Sequence, residues 1–578
     1  MSGLSCAAIL ARLGHKVLVL EQHNDVAGGG SHQFDLKGYR FDSGLHYTVP
    51  WSVPIFSLTC LKSVDEVVQF DLMGNEEGIV DKIYLAPPSG NAVNDAGLPT
   101  PAAPFDMKHG EKHLKQLYAD YPDDHAALNQ FMTISDQAML FVKFFLAGRL
   151  LPPWMQDFLW TYVVPKSLME VAGQTAKEIL PKLTNNKRLV SLLSSMWIDT
   201  GARPDIASFM MTAAVFRGVS MEGGCYPALG SEEMAVALTK TIVEHGGSVL
   251  IRADVTEIVV EDGKATGVNV RTTPSTPAEQ HRTDLLASSP VTFIPCRRVV
   301  SSAGYSNTFN RLVSEDVTNK LQIPRTIPGV EQSAGFVMAN IGIAASPAML
   351  DIDCTNSWHI PVDADFDGFP ALEKYFEDPL AVTGGTAQGI PAFITFPGIK
   401  DKEWSAKNPN KTSCQILMMA EHKWFEKFAV SASADSTSSE AQYEALKEQW
   451  RQRALQLLTT YFPKIKNHEV ELADISTTLS IAHWLRADQG GAVGIDVTPK
   501  RFTDPVVRRQ LDITTPIQGL YMTGQDTVLC GVTLCQLAGV ITAFRMDGFW
   551  AGASIIGQSV WRDLSIGFQK SLGLRKKA

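Results

Sequence analysis

The chain has 578 residues, of which 45% are hydrophobic and 19% charged, and a net charge of −10. That length allows two or three domains around a large core, and the composition is globular. The negative balance gives no support for a nucleic-acid partner, which needs a basic surface.

The chain opens "MSGLSCAAIL", and residues 4–13 are good helix formers ending at Gly14, a usual helix stop. Residues 17–20 are an unbroken apolar run, as expected of a strand buried on both faces, and Glu21 ends it. In a dinucleotide-binding βαβ unit, the last glycine of G-x-G-x-x-G lets the helix pack on the sheet. An acid about 20 positions on then binds a ribose hydroxyl. Gly3 and Glu21 suit those two places, while the first strand and the first two glycines are not in the sequence. Either the chain begins inside such a unit, through a misplaced start or a trimmed end, or the likeness is accidental.

Residues 86–105, rich in Pro, Gly and Asn, predict an irregular surface excursion. Residues 138–164, "AMLFVKFFLAGRLLPPWMQDFLWTYVV", come nearest to a bilayer span. Lys143, Arg149, Pro152, Pro153 and Asp157 interrupt them before the roughly 18 apolar residues that a span needs. Aromatics with a few cations and a Pro-Pro step suit a helix lying in a membrane interface, or equally a helical lid over an apolar pocket.

Ser231 can cap a helix running to about Val243 and stopped by Gly246-Gly247, with a strand over residues 248–251. Asp262-Gly263 sits between residues 256–260 and 265–270, a strong hairpin signal. Val299 to Ser301 form a strand before Ala303-Gly304. Residues 431–439, "SASADSTSS", read as a surface loop. Leu446, Trp450, Ala454, Leu457 and Tyr461 then recur at helical spacing as one buried stripe. Near the end, a short strand at 520–522 leads to Gly524 and a helix starting near Gly531, where free N–H groups make a seat for phosphate. The eight cysteines show neither CxxC nor zinc spacing, which predicts free thiols and no metal. The sequon Asn410-Lys411-Thr412 is read as chance.

These pieces predict an α/β protein. Its doubly wound, Rossmann-like domain is assembled from residues 1–70, 221–310 and 501–578. An α+β substrate domain is inserted as a mainly helical stretch, 71–220, and a second part, 311–500.

The combination of Glu21, Gly28-Gly29-Gly30-Ser31-His32, Phe41-Asp42-Ser43-Gly44-Leu45-His46 and "GLYMTGQD" at 519–526 with Gly531 is specific. In that order these motifs resemble the FAD-dependent phytoene desaturase, carotenoid isomerase and retinol saturase group of the amine-oxidase-like flavoproteins. The likeness runs over nearly the whole chain and makes Gly3 the third glycine of the fingerprint. It implies FAD held by Ser2, Gly3, Glu21, Gln22, Gly28, Gly29, Gly30, Gly44, Val255, Gly304, Gly524, Asp526 and Gly531. Glu21 would bind the ribose, Val255 the adenine, and Gly524 and Asp526 would lie by the pyrophosphate and ribityl chain.

The implied reaction is flavin hydride transfer that saturates a double bond of a retinoid. Carotenoid isomerisation or desaturation, or lipid binding without catalysis, are the alternatives. For a proton donor the residues offer His46, Tyr47, Tyr226 and His483, side chains that are more often structural than catalytic. NAD(P)H stays open as electron donor, although no second G-x-G-x-x-G follows a strand. A retinoid or carotenoid substrate implies peripheral membrane attachment, at the endoplasmic reticulum by resemblance, with no spanning helix. Arg575, Lys576 and Lys577 could add about 1 kcal/mol each on anionic lipid. The absent strand carries a further expectation: the chain as written binds FAD poorly, and an apolar strand ending in G-x-G ahead of Met1 restores binding.

Overall fold

The computed structural model describes residues 1–24, 26–62, 68–86, 103–273, 289–380, 389–429 and 436–571. Most of the expected 86–105 excursion, the start of the 431–439 loop and the cations at 575–577 lie outside these. Ser436 to Ser439 belong to the helix Ser436–Tyr461, so that loop is shorter than the serine-rich composition predicts. Trp450, Ala454 and Leu457 form its buried stripe as expected.

The opening helix, Ser2–Arg12, is apolar nearly all round because it is covered on two sides. Leu4, Ala7 and Ala8 pack with Met234, Leu238 and Ile242 of the helix Glu233–Glu244. Cys6, Ile9 and Leu10 pack with Val540 and Ala543 of the helix Val532–Asp547. The second contact needs a glycine. A Cβ on Gly539 would collide with the Ser2 carbonyl oxygen and stand 2.8 Å from the Cys6 nitrogen. Gly14 ends the opening turn at φ +87°, a conformation that glycine adopts without strain.

The strand Leu18–Leu20 pairs in parallel with Ser248–Leu250, and Val299–Ser301 pairs in parallel with Leu520–Met522. The first of these was expected to be buried on both faces. Instead Leu18 is 39% exposed: among the described residues the strand pairs on one edge, and Leu18 lines a cavity. The hairpin is as read: Ala253–Glu261 and Lys264–Thr272 turn through Asp262 (φ 49°) and Gly263 (φ 76°), the double positive-φ turn that suits strand twist. Val291–Pro295 adds a third antiparallel strand.

The second region is built on a seven-stranded sheet. In spatial order its strands are Val470–Ser476, Gly335–Ile343, Thr412–Ala420, Ala392–Thr395, Asn356–Pro361, Asp81–Ala86 and Phe105–Met107. The stretch 71–220, expected to be mainly helical, therefore contributes two strands. Asp81–Ala86 alternates buried and half-buried residues, with Ile83 and Leu85 inward.

Helices His125–Leu150 and Phe209–Glu222 pack together over this region. The helical segment 122–150 is long and apolar enough to cross a membrane by length and composition, yet one face of it lies in the core. The apolar surface expected of residues 141–160 is accordingly smaller than the sequence suggests. Phe141, Phe145 and Trp160 are buried, with Phe141 and Phe145 edge-on to Phe502 at 5.6 Å. Trp154 and Phe158 remain exposed, as does the adjoining Tyr162.

Arg149, buried, donates to the Arg508 carbonyl (3.0 Å) and pairs with Asp512, which also accepts from Arg545 at 3.2 Å. Burial pulls the Arg149 guanidinium down to about 10, still charged at neutral pH. This cluster joins the helical stretch to the region that holds the last helices.

The helix contact at Gly539 yields a direct test. Gly539→Ala places a methyl group where the opening helix backbone already sits, so it should lower stability by about 1–3 kcal/mol. Urea unfolding monitored by circular dichroism measures this.

Candidate functional site

Between the two regions lies one cavity of about 1680 Å³, above the usual range of roughly 300–1,000 Å³ for a small-molecule pocket. Its volume suits a dinucleotide together with a second elongated ligand. All thirteen residues that the sequence assigned to the cofactor line it, from Ser2 and Gly3 through Gly304 to Gly524, Asp526 and Gly531.

Backbone geometry explains the glycines. A Cβ on Gly28 would stand 2.9 Å from the Ala235 side chain, and one on Gly44 would stand 3.1 Å from the Gly30 carbonyl oxygen. Gly29, Gly30 and Gly531 face open space, so the cavity comes up to bare backbone there. Gly531, at φ +92°, leads into the helix Val532–Asp547, whose free N–H groups and dipole favour an anion. Gly3 lies against Ser302, close enough that a Cβ would be 2.9 Å from its hydroxyl, which is the helix–sheet approach expected of a fingerprint's third glycine.

Three of the assigned polar residues are already engaged. Glu21 accepts from the His23 backbone N–H (3.0 Å) and from His23 Nδ1 (2.7 Å). Burial pulls the carboxyl upward, but those hydrogen bonds outweigh it and hold Glu21 below the usual range, hence ionised. The Gln22 amide donates to the Trp484 carbonyl at 2.9 Å. Asp526 uses one oxygen on the Tyr305 N–H (2.7 Å) and the other on the Ile495 N–H (2.9 Å). Its carboxylate therefore ties two loops of the cavity wall together.

Of the four proton-donor candidates, His46 and Tyr47 line the cavity, whereas Tyr226 and His483 do not. Tyr226 donates to buried Asp42 at 2.8 Å, beside Ser231 at 2.7 Å, and stabilises that carboxylate. Burial still pushes Asp42 up to about 6. His483 is exposed, with its ring edge-on to Trp484.

His46 is buried with both ring nitrogens unpartnered, and burial lowers it to about 3, so the ring is neutral. A buried unpaired imidazole is costly unless a ligand supplies its hydrogen bond. The turn carrying it is clamped by Lys400, buried, whose Nζ donates to the His46 carbonyl (2.9 Å), Asn356 Oδ1 (2.8 Å) and Thr395 Oγ1 (2.7 Å). Tyr47 donates to Asp199 Oδ2 at 2.6 Å. Asp199 and Lys400 were not singled out from the sequence. Asp199 sits in "SMWIDT" with no motif around it, and only the fold brings it to Tyr47.

The cavity wall then turns apolar: Met139, Val142 and Leu146 face it from the long helix, and Phe336, Phe393 and Leu417 from the large sheet. Bare backbone, a helix N-terminus and the unpaired His46 fit the phosphates and ring system of a flavin dinucleotide, and the apolar portion fits a hydrocarbon.

A family profile described as an NAD(P)-binding Rossmann-like domain matches residues 1–57. All-trans-retinol 13,14-reductase from Danio rerio is 27% identical, with 94% of this chain and 83% of that protein aligned. The human protein of the same name is 28% identical over 92% of this chain and 81% of its own length. The chain is similar to the retinol 13,14-reductases over nearly its whole length. A Danio rerio protein named inactive all-trans-retinol 13,14-reductase is 25% identical over 94% of the chain.

Putrescine oxidase bound to putrescine shares the fold at a TM-score of 0.54 and 12% identity, covering 96% of this chain and 97% of that one. Cyclohexylamine oxidase from Brevibacterium oxydans does so at 0.52 and 13%, covering 94% and 97%. The chain thus shares its fold with these two amine oxidases, and the names of the relatives support an oxidoreductase.

The open face of Gly531 allows a test of cofactor placement. Gly531→Val sets a β-branched residue at positive φ and projects it toward the cavity, so FAD affinity should fall at least tenfold. Flavin fluorescence titration reads this, with circular dichroism checking that the fold persists.

Proposed function

We propose that this chain is a flavin-dependent oxidoreductase that saturates one double bond of a retinoid, in the manner of all-trans-retinol to 13,14-dihydroretinol. One observation carries the reading: a single cavity joins a glycine-lined, anion-favouring end to a hydrocarbon-lined end, so a cofactor and a polyene can meet without water between them. FAD bound there would supply hydride chemistry, with NAD(P)H proposed as the source of its electrons. Ser2, Gly3, Gly29, Gly30 and Gly531 would hold its phosphates, and Glu21 the ribose through the oxygen that His23 leaves open. Phe336, Phe393 and Leu417 would fix the polyene plane, and neutral His46 would hydrogen-bond a polar ligand atom.

The deciding assay gives the reduced, FAD-loaded protein all-trans-retinol and, in parallel, a poly-cis carotenoid, with products resolved by chromatography. Dihydroretinol is the expected product. Isomerised carotenoid alone would replace the reading with carotenoid isomerisation. No turnover with flavin bound would favour a non-catalytic lipid binder, a role in keeping with the relative named inactive.

A retinoid dissolves in membranes, so the proposal includes peripheral attachment, with the endoplasmic reticulum as the proposed site. Trp154 (72% exposed) and Tyr162 (75%) stand out on the stretch whose Asp157 pairs with Arg509, and Trp550 (82%) and Trp561 (74%) on the last helix. Exposed aromatics of this kind insert at the headgroup level. Trp154→Ser with Tyr162→Ser should shift the protein from floating vesicles to the soluble fraction.

A further inference from the structure

Saturating a carbon–carbon double bond needs a hydride at one carbon and a proton at the other. Where the cavity wall is hydrocarbon, a side chain that reaches the substrate can supply that proton. Among the residues lining this cavity, Tyr47 and Asp199 form a directly hydrogen-bonded acid pair, 2.6 Å apart, at the border between the glycine-lined and apolar parts. Tyr47 comes from the turn clamped by Lys400, and its ring lies against Phe393 at 6.3 Å, on the surface proposed for the polyene. Asp199 comes from Ser195–Thr200, next to Thr200, whose carbonyl faces Cys530 just ahead of Gly531. Two separate elements therefore converge where the cofactor and hydrocarbon portions meet.

We propose that Asp199 and Tyr47 are the proton source of the reaction, with Asp199 storing the proton and Tyr47 delivering it to the substrate carbon. The inference rests on the retinoid-saturating function proposed above. FAD bound in its reduced form would supply the hydride, two electrons and one hydrogen nucleus, to one carbon. With Asp199 protonated, the bond that Tyr47 donates to the Asp199 carboxylate reverses, so the carboxyl donates to the Tyr47 oxygen and the hydroxyl hydrogen is free for the substrate. The π pair forms a C–H bond with that hydrogen at the neighbouring carbon, and the Tyr47 oxygen takes the Asp199 proton in the same movement. The carbon–carbon π bond is broken, two C–H bonds are made, the flavin is oxidised, and Asp199 is left as a carboxylate to be reprotonated from solvent.

The pair explains why neither residue suffices alone. Burial and the adjoining carboxylates push the Tyr47 hydroxyl well above its usual range, so a tyrosinate left behind would be costly. Burial pushes Asp199 up to about 7, with Asp81 adding to the rise and the Tyr47 hydrogen bond opposing it. Asp81 is itself raised by burial, and Cys530, also near, is raised to about 12 and stays a neutral thiol. A carboxyl that is half protonated at working pH is a suitable proton store. The sign follows: the protonated form is the active one, so the rate should be full on the acid side and fall as pH rises through about 7.

The test uses Asp199→Asn and Tyr47→Phe in the full chain, with FAD and retinol affinities measured first. Each variant should bind both ligands within a few-fold of the parent and lose about 100-fold or more in turnover. In D2O the parent should place deuterium on the carbon that the proton reaches. Independently of turnover, infrared difference spectra of the chain without FAD should show a protonated carboxyl band that titrates near neutral pH and vanishes in Asp199→Asn. Turnover by the variants within about fivefold of the parent, or a parent spectrum without that band, overturns the proposal. A parent that saturates no retinoid overturns the functional reading and this one with it, whereas an active parent with unaffected variants overturns only this one.

Discussion

The structure depends on the close approach of two helices from opposite ends of the chain. Ser2–Arg12 lies against Val532–Asp547 at Gly539, where a single added methyl group has no room. That contact brings Gly3, Gly524 and Gly531 to one end of one cavity, because the glycines flank the same two helix starts. The helix Glu233–Glu244 covers the other face of the opening helix and carries the strand and hairpin that supply Val255. Without this three-helix layer the anion-favouring end of the cavity would have no floor.

The second half of the molecule follows a different rule, in which its buried charges are set against several polar partners. Lys400 spends its three donors on a turn and two strand side chains, and its position fixes the turn that carries His46 and Tyr47. Asp512, with Arg149 and Arg545, locks the long helix to the region that holds the last helices. Removing one partner from such a cluster would leave an uncompensated buried charge, which costs more than the pair itself contributes. The cavity between the halves is consequently held from both sides by groups that cannot easily move.

What the sequence made legible was local. Asp262-Gly263 fixes its hairpin through the backbone angles of two adjacent residues, and Val299 to Ser301 and Leu520 to Met522 are short apolar runs ended by glycine. The glycines that line the cavity were legible for the same reason, since close backbone approach leaves glycines in recognisable order. The parts that were missed are set by distance in the fold. Nothing near Asp199 in the chain indicates that Tyr47 will meet it. Nothing in residues 138–164 distinguishes Phe141, which packs on Phe502, from Trp154, which faces solvent. The Asp81–Ala86 strand was missed because its pairing partner comes from Asn356–Pro361.

The contact at Gly539 also sets an order of events during synthesis. The opening helix leaves the ribosome long before the helix that must cover it, and elongation proceeds at about 5–20 residues per second. For most of that interval Cys6, Ile9 and Leu10 have no native partner, although Glu233–Glu244 arrives earlier to cover the opposite face. A nascent chain of this design carries an exposed apolar stripe for tens of seconds, and its nucleotide-binding half closes only when the last segment arrives. Its yield in the cell thus depends on what shields that stripe in the meantime, independently of how stable the finished protein is.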